Sequence, residues 1–383
     1  MVVRFDEEFL KDPVCSYARL RAVGPVHRAE APDGSPVWLV TGYDDVRAAL
    51  ADPRLSLDKA NATTGYRGLA LPPALDKNLL NLDAPDHTRL RRILGRAFTP
   101  RRVEALRPAV EEIAGALADA VTGADLLAEF CVPLPIRVIC TLLGVPPADV
   151  TRFREWTDAV LVPADAGRAR AAMGSLYAFL TALVEAKRAS PGEDLLSVVA
   201  DSLSADEMLS AAFLLLLAGY ENVVHVLGNG LAELLSAGLT SSTVDELVRH
   251  ASPLQLAIRR FPTEDVEIGG TTIPAGETVL LAVASAHRDA SVFPDADVFD
   301  PSRAENPHVG FGFGPHYCLG APLARLELSI GLEALFSRYP GMSLAVPYAE
   351  VEWRSAFRSR SLRALPVRLN GRFPHSGTVG GGG

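Results

Sequence analysis

Apolar positions along the chain change period several times, and each change marks a change of element. Over residues 26–31 and 36–41 they alternate on either side of Asp33-Gly34, which predicts a β-hairpin; a short helix is expected over 44–51. From about Asp86 to Gly238 the spacing becomes three and four, which predicts an almost wholly helical stretch. Breaks are expected at Thr99-Pro100, Val145-Pro146-Pro147, Val162-Pro163 and Ser190-Pro191-Gly192. Strand-like runs return at 266–273 and 278–284, a helix follows over 319–339, and short strands are expected within 348–369. The fold class is therefore mostly α with small β-sheets (α+β). Residues 1–370 read as a single domain and residues 371–383 as a Gly-rich disordered tail.

One predicted helix differs from the rest. Ser204-Ala205-Asp206-Glu207 is a capping-box pattern, and helix-compatible sequence continues to about Ala237. At 1.5 Å per residue this is about 50 Å, enough to cross the whole molecule. Its middle, from Phe213 to Ala218, is apolar on every side and should be buried. Gly219, Glu221 and Asn222 follow directly. An interior glycine costs about 1 kcal/mol, and a buried carboxylate needs a partner. Either this is a helix–helix contact with an acid at its margin, or the helix carries chemistry there.

Composition narrows the classes. Net charge is −9, and no basic run offsets it, which argues against nucleic acid as a partner. The charged start MVVRFDEEFLKDP lacks a signal peptide's apolar core. The longest purely apolar run, Ala211 to Ala218, falls short of the ~20 residues of a membrane span. A cytoplasmic protein with no membrane partner is expected. Four cysteines in 383 residues form neither a disulfide framework nor a CxxC site. Cys15, Cys131 and Cys140 read as small buried hydrophobes.

Cys318 stands apart, inside Phe311-Gly-Phe-Gly-Pro-His-Tyr-Cys318-Leu-Gly320 and just before the helix beginning Ala321-Pro322. Glycines at 312, 314 and 320 allow backbone to approach a flat ligand closely. Exposed N–H groups at a helix start favour thiolate over thiol. A thiolate with donors aimed at it suits a soft axial iron ligand.

This stretch resembles the cysteine loop of the cytochrome P450 family of haem-thiolate monooxygenases, in its soluble bacterial form. Glu246-Leu-Val-Arg249 is similar to the family's Glu-x-x-Arg, and Phe299-Asp-Pro-Ser-Arg303 supplies its third partner. The resemblance implies a buried structural ion-pair cluster of Glu246, Arg249 and Arg303. His87 and Arg91, four apart in Asp83-Ala-Pro-Asp-His-Thr-Arg-Leu-Arg-Arg92, lie on one helix face and would suit two haem propionates. The resemblance adds Arg260 and His316 as further propionate partners, with Phe311, Gly312, Gly320 and Ala218 against the haem. It covers roughly residues 5–370 and implies a long central helix over one haem b, with iron bound by the Cys318 thiolate.

Two departures from the family pattern stand out. The usual central-helix motif pairs an acid with an alcohol, whereas this chain reads Ala218-Gly219-Tyr220-Glu221-Asn222. Gly219 would let the helix open beside the oxygen site. Glu221 and Asn222 would act in catalysis, but a carboxamide hydrogen-bonds water without readily passing a proton through itself. His225, one turn beyond Glu221, could join a relay or be merely its neighbour. The second departure lies between Gly230 and Glu246, where the segment is too short for the family's usual extra helix.

The resemblance implies oxygen insertion from O2 into a largely apolar small molecule, with secondary metabolism as the expected setting. Electrons would come from a ferredoxin and its reductase, docked near Arg92, Arg101, Arg102 and Arg325, and the protein would be a monomer. The pocket is expected from the 55–82 loop, Leu214, Leu217, Ala218, Leu256, Ile258 and the Arg358-Ser359 turn. Arg358 is read as more readily solvent-facing than pointing inward. Alternatives are coupling or desaturation without net oxygen insertion, a haem sensor without turnover, and a haem-free activating partner.

Overall fold

The computed structural model describes residues 2–68, 73–161 and 165–370. The expected break at Val162-Pro163, part of the 55–82 loop and the Gly-rich tail lie outside them. Helices dominate, and the sheets are small. A four-stranded sheet has the order Val3–Arg4, Val26–Glu30, Pro36–Val40, Val279–Leu281. Its central hairpin is antiparallel with Val26 opposite Val40, while Val279–Leu281 joins in parallel with Trp38 opposite Val279. The run expected over 266–273 is itself a hairpin, Val266–Ile268 against Thr271–Ile273.

Two sequence boundaries need correction. The strand expected over 278–284 ends at Leu281, because Ala282 N–H bonds Val40 O and the chain then coils into the helical turn Val283–Ala286. The helical stretch has a further break after Ala120. Gly123 adopts φ +88° there, and the Glu129 carboxylate takes hydrogen bonds from the Thr122 and Gly123 N–H groups that a continued helix would have used.

The central helix runs Ala205–Ser236, and its capping box is present in both directions. It is the one helix among the described residues long and apolar enough to span a membrane, yet 61% of its most apolar stretch is buried inside the protein. It is a core helix. Leu216, Leu227 and Leu231 join Leu134 and Ile139 of helix Pro133–Leu143, and Leu328 and Leu335 of helix Ala321–Arg338, in the largest apolar cluster. Truncating one such leucine to alanine typically costs about 2–5 kcal/mol.

Glycines set how closely these helices approach. A Cβ on Gly219 would come within 2.7 Å of Ile139 Cδ1, one on Gly228 within 2.8 Å of Leu127 Cδ1, and one on Gly331 within 2.9 Å of Leu134 Cδ2. The central helix is continuous through Gly219. The expectation that this glycine opens the helix is thus not met here; close packing on Ile139 occupies it instead.

The helix ends in a Schellman turn. Gly238, at φ +66°, lets Leu239 N–H reach Leu234 O at 2.8 Å and its own N–H reach Leu235 O at 3.3 Å. No helix lies between Ser236 and Val244, as the short segment requires.

Candidate active site

The cysteine loop is a tight backbone structure. Cys318 N–H bonds Phe311 O at 2.7 Å, Tyr317 N–H bonds Gly314 O at 3.0 Å and Gly312 N–H bonds Val309 O at 2.9 Å. Gly314 is required twice over: its φ is +73°, and a Cβ would lie 2.8 Å from Ala51 Cβ and 2.9 Å from Ala51 Cα. Cys318 is accessible at the turn before helix Ala321–Arg338. Surrounding protein pushes its thiol pKa up, while the N–H groups of Gly320 and Ala321 and the charges of Arg91 and Arg325 pull it back down. Cys131 and Cys140 are buried, and burial raises the Cys140 thiol to about 12. Cys15 is exposed on the outer face of helix Pro13–Val23, whose inner face holds Pro13, Tyr17 and Leu20, so it is not the buried hydrophobe expected.

Behind the loop lies a buried ion cluster. Helix Val244–His250, capped by Thr243, carries Glu246 and Arg249, only 0% and 1% exposed. Arg249 grips the carboxylate through two bonds of 2.7 and 2.8 Å and donates to the carbonyls of His287, Ala296 and Val298. Glu246 also accepts from Asp300 N–H at 2.9 Å and Asn306 Nδ2 at 3.0 Å, and pairs with Arg303 at 3.3 Å. One helix and the 294–306 segment are therefore joined through the Glu246 carboxylate and the Arg249 guanidinium together.

Asp245, next along that helix, ties the cluster to the cysteine loop, and sequence reasoning missed it. It receives His308 Nε2 at 2.9 Å and Arg325 at 2.7 Å, and the His308 contact leads the causes that hold its carboxyl near about 2. Arg325 in turn lies over the Phe311 ring at 4.6 Å. Arg325, a docking candidate by sequence, is thus also paired within the fold. Arg92, Arg101 and Arg102 are exposed.

His87, Arg91, Arg260 and His316 converge on one place. The rings of His87 and His316 lie 3.9 Å apart, and Arg91 donates to Tyr317 O at 2.5 Å. His87 Nε2 and Arg260 Nε are buried without a hydrogen-bond partner. Burial lowers the Arg260 guanidinium to about 10 and the His316 imidazole to about 3, with His87 and Arg260 adding to the latter. The nearby carboxylate, Asp83, is already engaged by Ser56 and Leu57 N–H.

On the central helix, Ala218 and Asn222 are accessible one turn apart, within an otherwise largely buried helix. Asn222 Nδ2 donates to Ala218 O at 3.2 Å. Glu221 is half-buried; burial raises its carboxyl pKa, and Arg354 and Arg358 oppose that. Arg358 is half-buried, and its charge reaches the helix acid. Leu217, Ile258 and Ser359 are half-buried, and Ser359 bridges Leu254, whereas Leu214 is buried in the main apolar cluster. Leu256, expected in the pocket, is 0% exposed and packs with Phe5, Leu39 and Leu280 in the cluster behind the sheet.

The family profile described as Cytochrome P450 matches residues 238–341. The cytochrome P450 monooxygenase PikC of Streptomyces venezuelae is 44% identical over 385 residues, covering 94% of this chain and 92% of that protein. The chain belongs to the cytochrome P450 family. A second relative, 6-deoxyerythronolide B hydroxylase of Saccharopolyspora erythraea, is 40% identical across 95% of this chain and 98% of its own length. The ligand-free P450 monooxygenase TamI superposes with a TM-score of 0.88 at 42% identity, covering 97% of this chain and 94% of that one.

The protein is accordingly a haem-thiolate oxidoreductase that incorporates oxygen from O2, taking small-molecule substrates and electrons from a redox partner. Its own residues fit the P450 cofactor. The orphaned donors of His87 and Arg260, beside Arg91 and His316, are what two propionates need. Accessible Cys318 with backbone donors nearby is what the iron needs. Among the described residues, no cluster of three or more His, Cys, Asp or Glu offers another metal site.

Proposed function

We propose that this P450 oxygenates a largely apolar secondary metabolite of polyketide type, with Cys318 as the iron ligand and residues 1–370 as one haem domain. Relatives support the substrate class: one is a mycinamicin IV hydroxylase/epoxidase, another a polyketide-biosynthesis P450, and one TamI structure holds tirandamycin C. The observation that carries the reading is the convergence of four cationic or N–H-donating side chains, two with orphaned atoms, on the same loop that presents Cys318.

When bound, haem supplies the oxidising chemistry, using O2 and two electrons to place one oxygen atom in an unactivated C–H bond. The chain's residues do the rest. Arg91 and Arg260, with His87 and His316, anchor the propionates and fix the plane. Leu214, Leu217 and Ala218 exclude water from the substrate side. Glu221 holds a proton beside that pocket, and Asn222 orders water without relaying. Arg358 selects for a substrate polar group at the pocket rim. Electrons come from a ferredoxin and its reductase docking at Arg92, Arg101 and Arg102, and the enzyme works as a cytoplasmic monomer.

Titrating ferric enzyme with macrolides and linear polyketides is expected to give the haem absorption shift that accompanies loss of iron-bound water. A panel in which only small aromatic acids gave the shift would defeat the substrate class. A second reading, coupling or desaturation without net oxygen insertion, is favoured by Asn222 bonding Ala218 O where the family places an alcohol. Product mass separates the two, since only insertion adds one oxygen.

Glu221→Ala is expected to slow turnover about 10²-fold, the low end for a positioned proton donor, with haem loading and substrate affinity retained. Asn222→Thr should leave turnover unchanged or improve coupling of electrons to product. Turnover and coupling both untouched by Glu221→Ala would make the acid a helix contact only.

A further inference from the structure

The central helix carries a second polar feature that the oxygen-side residues do not explain. Glu221, His225, Asn229 and Glu233 follow at intervals of four, so they lie along one face of the helix. At 1.5 Å per residue the stripe spans about 18 Å. Polar residues on this face of a core helix are costly unless used.

The strand Arg360–Leu362, paired with Trp353–Ser355, packs on the central helix. Asn229 Nδ2 donates to Arg360 O at 3.0 Å and to Ala251 O at 3.2 Å, while its Oδ1 is buried without a partner. Glu233 accepts from the Tyr348 hydroxyl at 2.8 Å and lies 3.7 Å from His250 Nδ1, which has no hydrogen-bond partner either. The charge of Arg354 reaches Glu221 and His225, and those of Arg288 and Arg360 reach Glu233. Burial raises both carboxyls and these arginines oppose the rise; burial lowers His225 to about 4, so its ring is neutral near pH 7.

At the far end of the stripe is a cavity of about 40 Å³ lined by Asn229, Glu233, His250, Gln255 and Arg360. Pro13 and Val14, in the first turn of helix Pro13–Val23 and next in sequence to exposed Cys15, also line it. At roughly 10–15 Å³ per water, the cavity holds about three. Orphaned atoms of Asn229, His250, Gln255 and Arg360 provide the polar partners such waters require.

We propose that this cavity and the Glu221–His225–Asn229–Glu233 face form a proton-entry route from the surface to the substrate pocket. The overall reaction, RH + O2 + 2 e⁻ + 2 H⁺ → ROH + H2O, consumes two protons per turnover, and the redox partner supplies the electrons. Glu233 takes a proton from cavity water. Water held on Asn229 Oδ1 carries it to one nitrogen of His225, whose other nitrogen releases a proton to Glu221. The asparagine anchors water and does not itself titrate. The far supply compensates for the alcohol missing at Asn222. The route rests on the monooxygenase reading, which the reduced carbon monoxide spectrum tests separately.

The test uses resting ferric enzyme with an imidazole-type inhibitor filling the substrate pocket, so that turnover plays no part. The Glu221 carboxyl stretch, identified by its loss in Glu221→Gln, is followed by infrared spectroscopy after mixing into D2O. Glu233→Gln and His225→Phe are each expected to slow its exchange about tenfold, and Glu233→Asp should restore it. Under turnover, the first two should raise the solvent isotope effect and peroxide release. Exchange as fast as in the parent enzyme, in variants that keep the carbon monoxide band, would overturn the route and leave a structural water cluster. Loss of that band would instead count against the haem assignment.

Discussion

Cys318→Ser is expected to abolish oxygenation and to remove the long-wavelength carbon monoxide band of the reduced protein. The cause is electronic as well as geometric. A thiolate pushes electron density toward iron and favours O–O cleavage, whereas a serine hydroxyl stays protonated and donates little. The loop itself should survive, because its shape rests on backbone bonds such as Cys318 N–H to Phe311 O and on Gly314 against Ala51, none of which needs the sulfur. Cys131 and Cys140 are buried in the apolar core and cannot substitute. The variant should therefore be folded, bind haem weakly through the propionate cluster alone, and be inactive. A thiolate spectrum retained by Cys318→Ser would mean that another cysteine is the ligand.

Glu246→Ala should fail earlier, at folding. Removing one member of a buried charge cluster typically costs about 3–5 kcal/mol, against a total stability of about 5–15 kcal/mol. Here the loss strands Arg249, 1% exposed, and frees Arg303, Asp300 N–H and Asn306 at once. The 294–306 segment and the cysteine loop both depend on this helix, the latter through Asp245. Little soluble, haem-loaded protein is expected, judged by the ratio of haem to protein absorbance. Glu246→Gln keeps the shape but loses the charge and should fall between. A stable, fully loaded Glu246→Ala would contradict the structural assignment.

Much of this was legible in the sequence because the deciding signals are local. The cysteine loop is ten consecutive residues, the capping box four, and the Glu246–Arg249 pair one helical turn. The hairpin at 26–40 was legible because alternation and a turn sequence coincide. What escaped depends on tertiary placement. Nothing near Asp245 announces that it will bind His308 and Arg325 from two other segments. Leu256 looks like a pocket residue until the sheet is in place, when its side chain turns into the cluster with Phe5 and Leu39. Arg358 reads as a surface cation, yet the fold brings its charge within reach of Glu221, far away in sequence. Gly219 suggested a loosened helix, and only the position of Ile139 shows what space it fills.

The three glycine contacts also bear on how the enzyme accommodates molecules of different size. With Gly219 and Gly228 seated close to Ile139 and Leu127, and Gly331 of helix Ala321–Arg338 letting that helix approach Leu134 and Leu227, the central helix behaves as a clamped beam. It can neither slide nor rotate without breaking several contacts together. Widening of the pocket is then expected from parts not clamped this way, such as the 356–359 tip. Substrate range in this chain is accordingly expected to follow the pocket's walls rather than its floor. Exchanges at the tip should broaden or narrow it, whereas alanine at any of the three glycines should cost stability without changing selectivity.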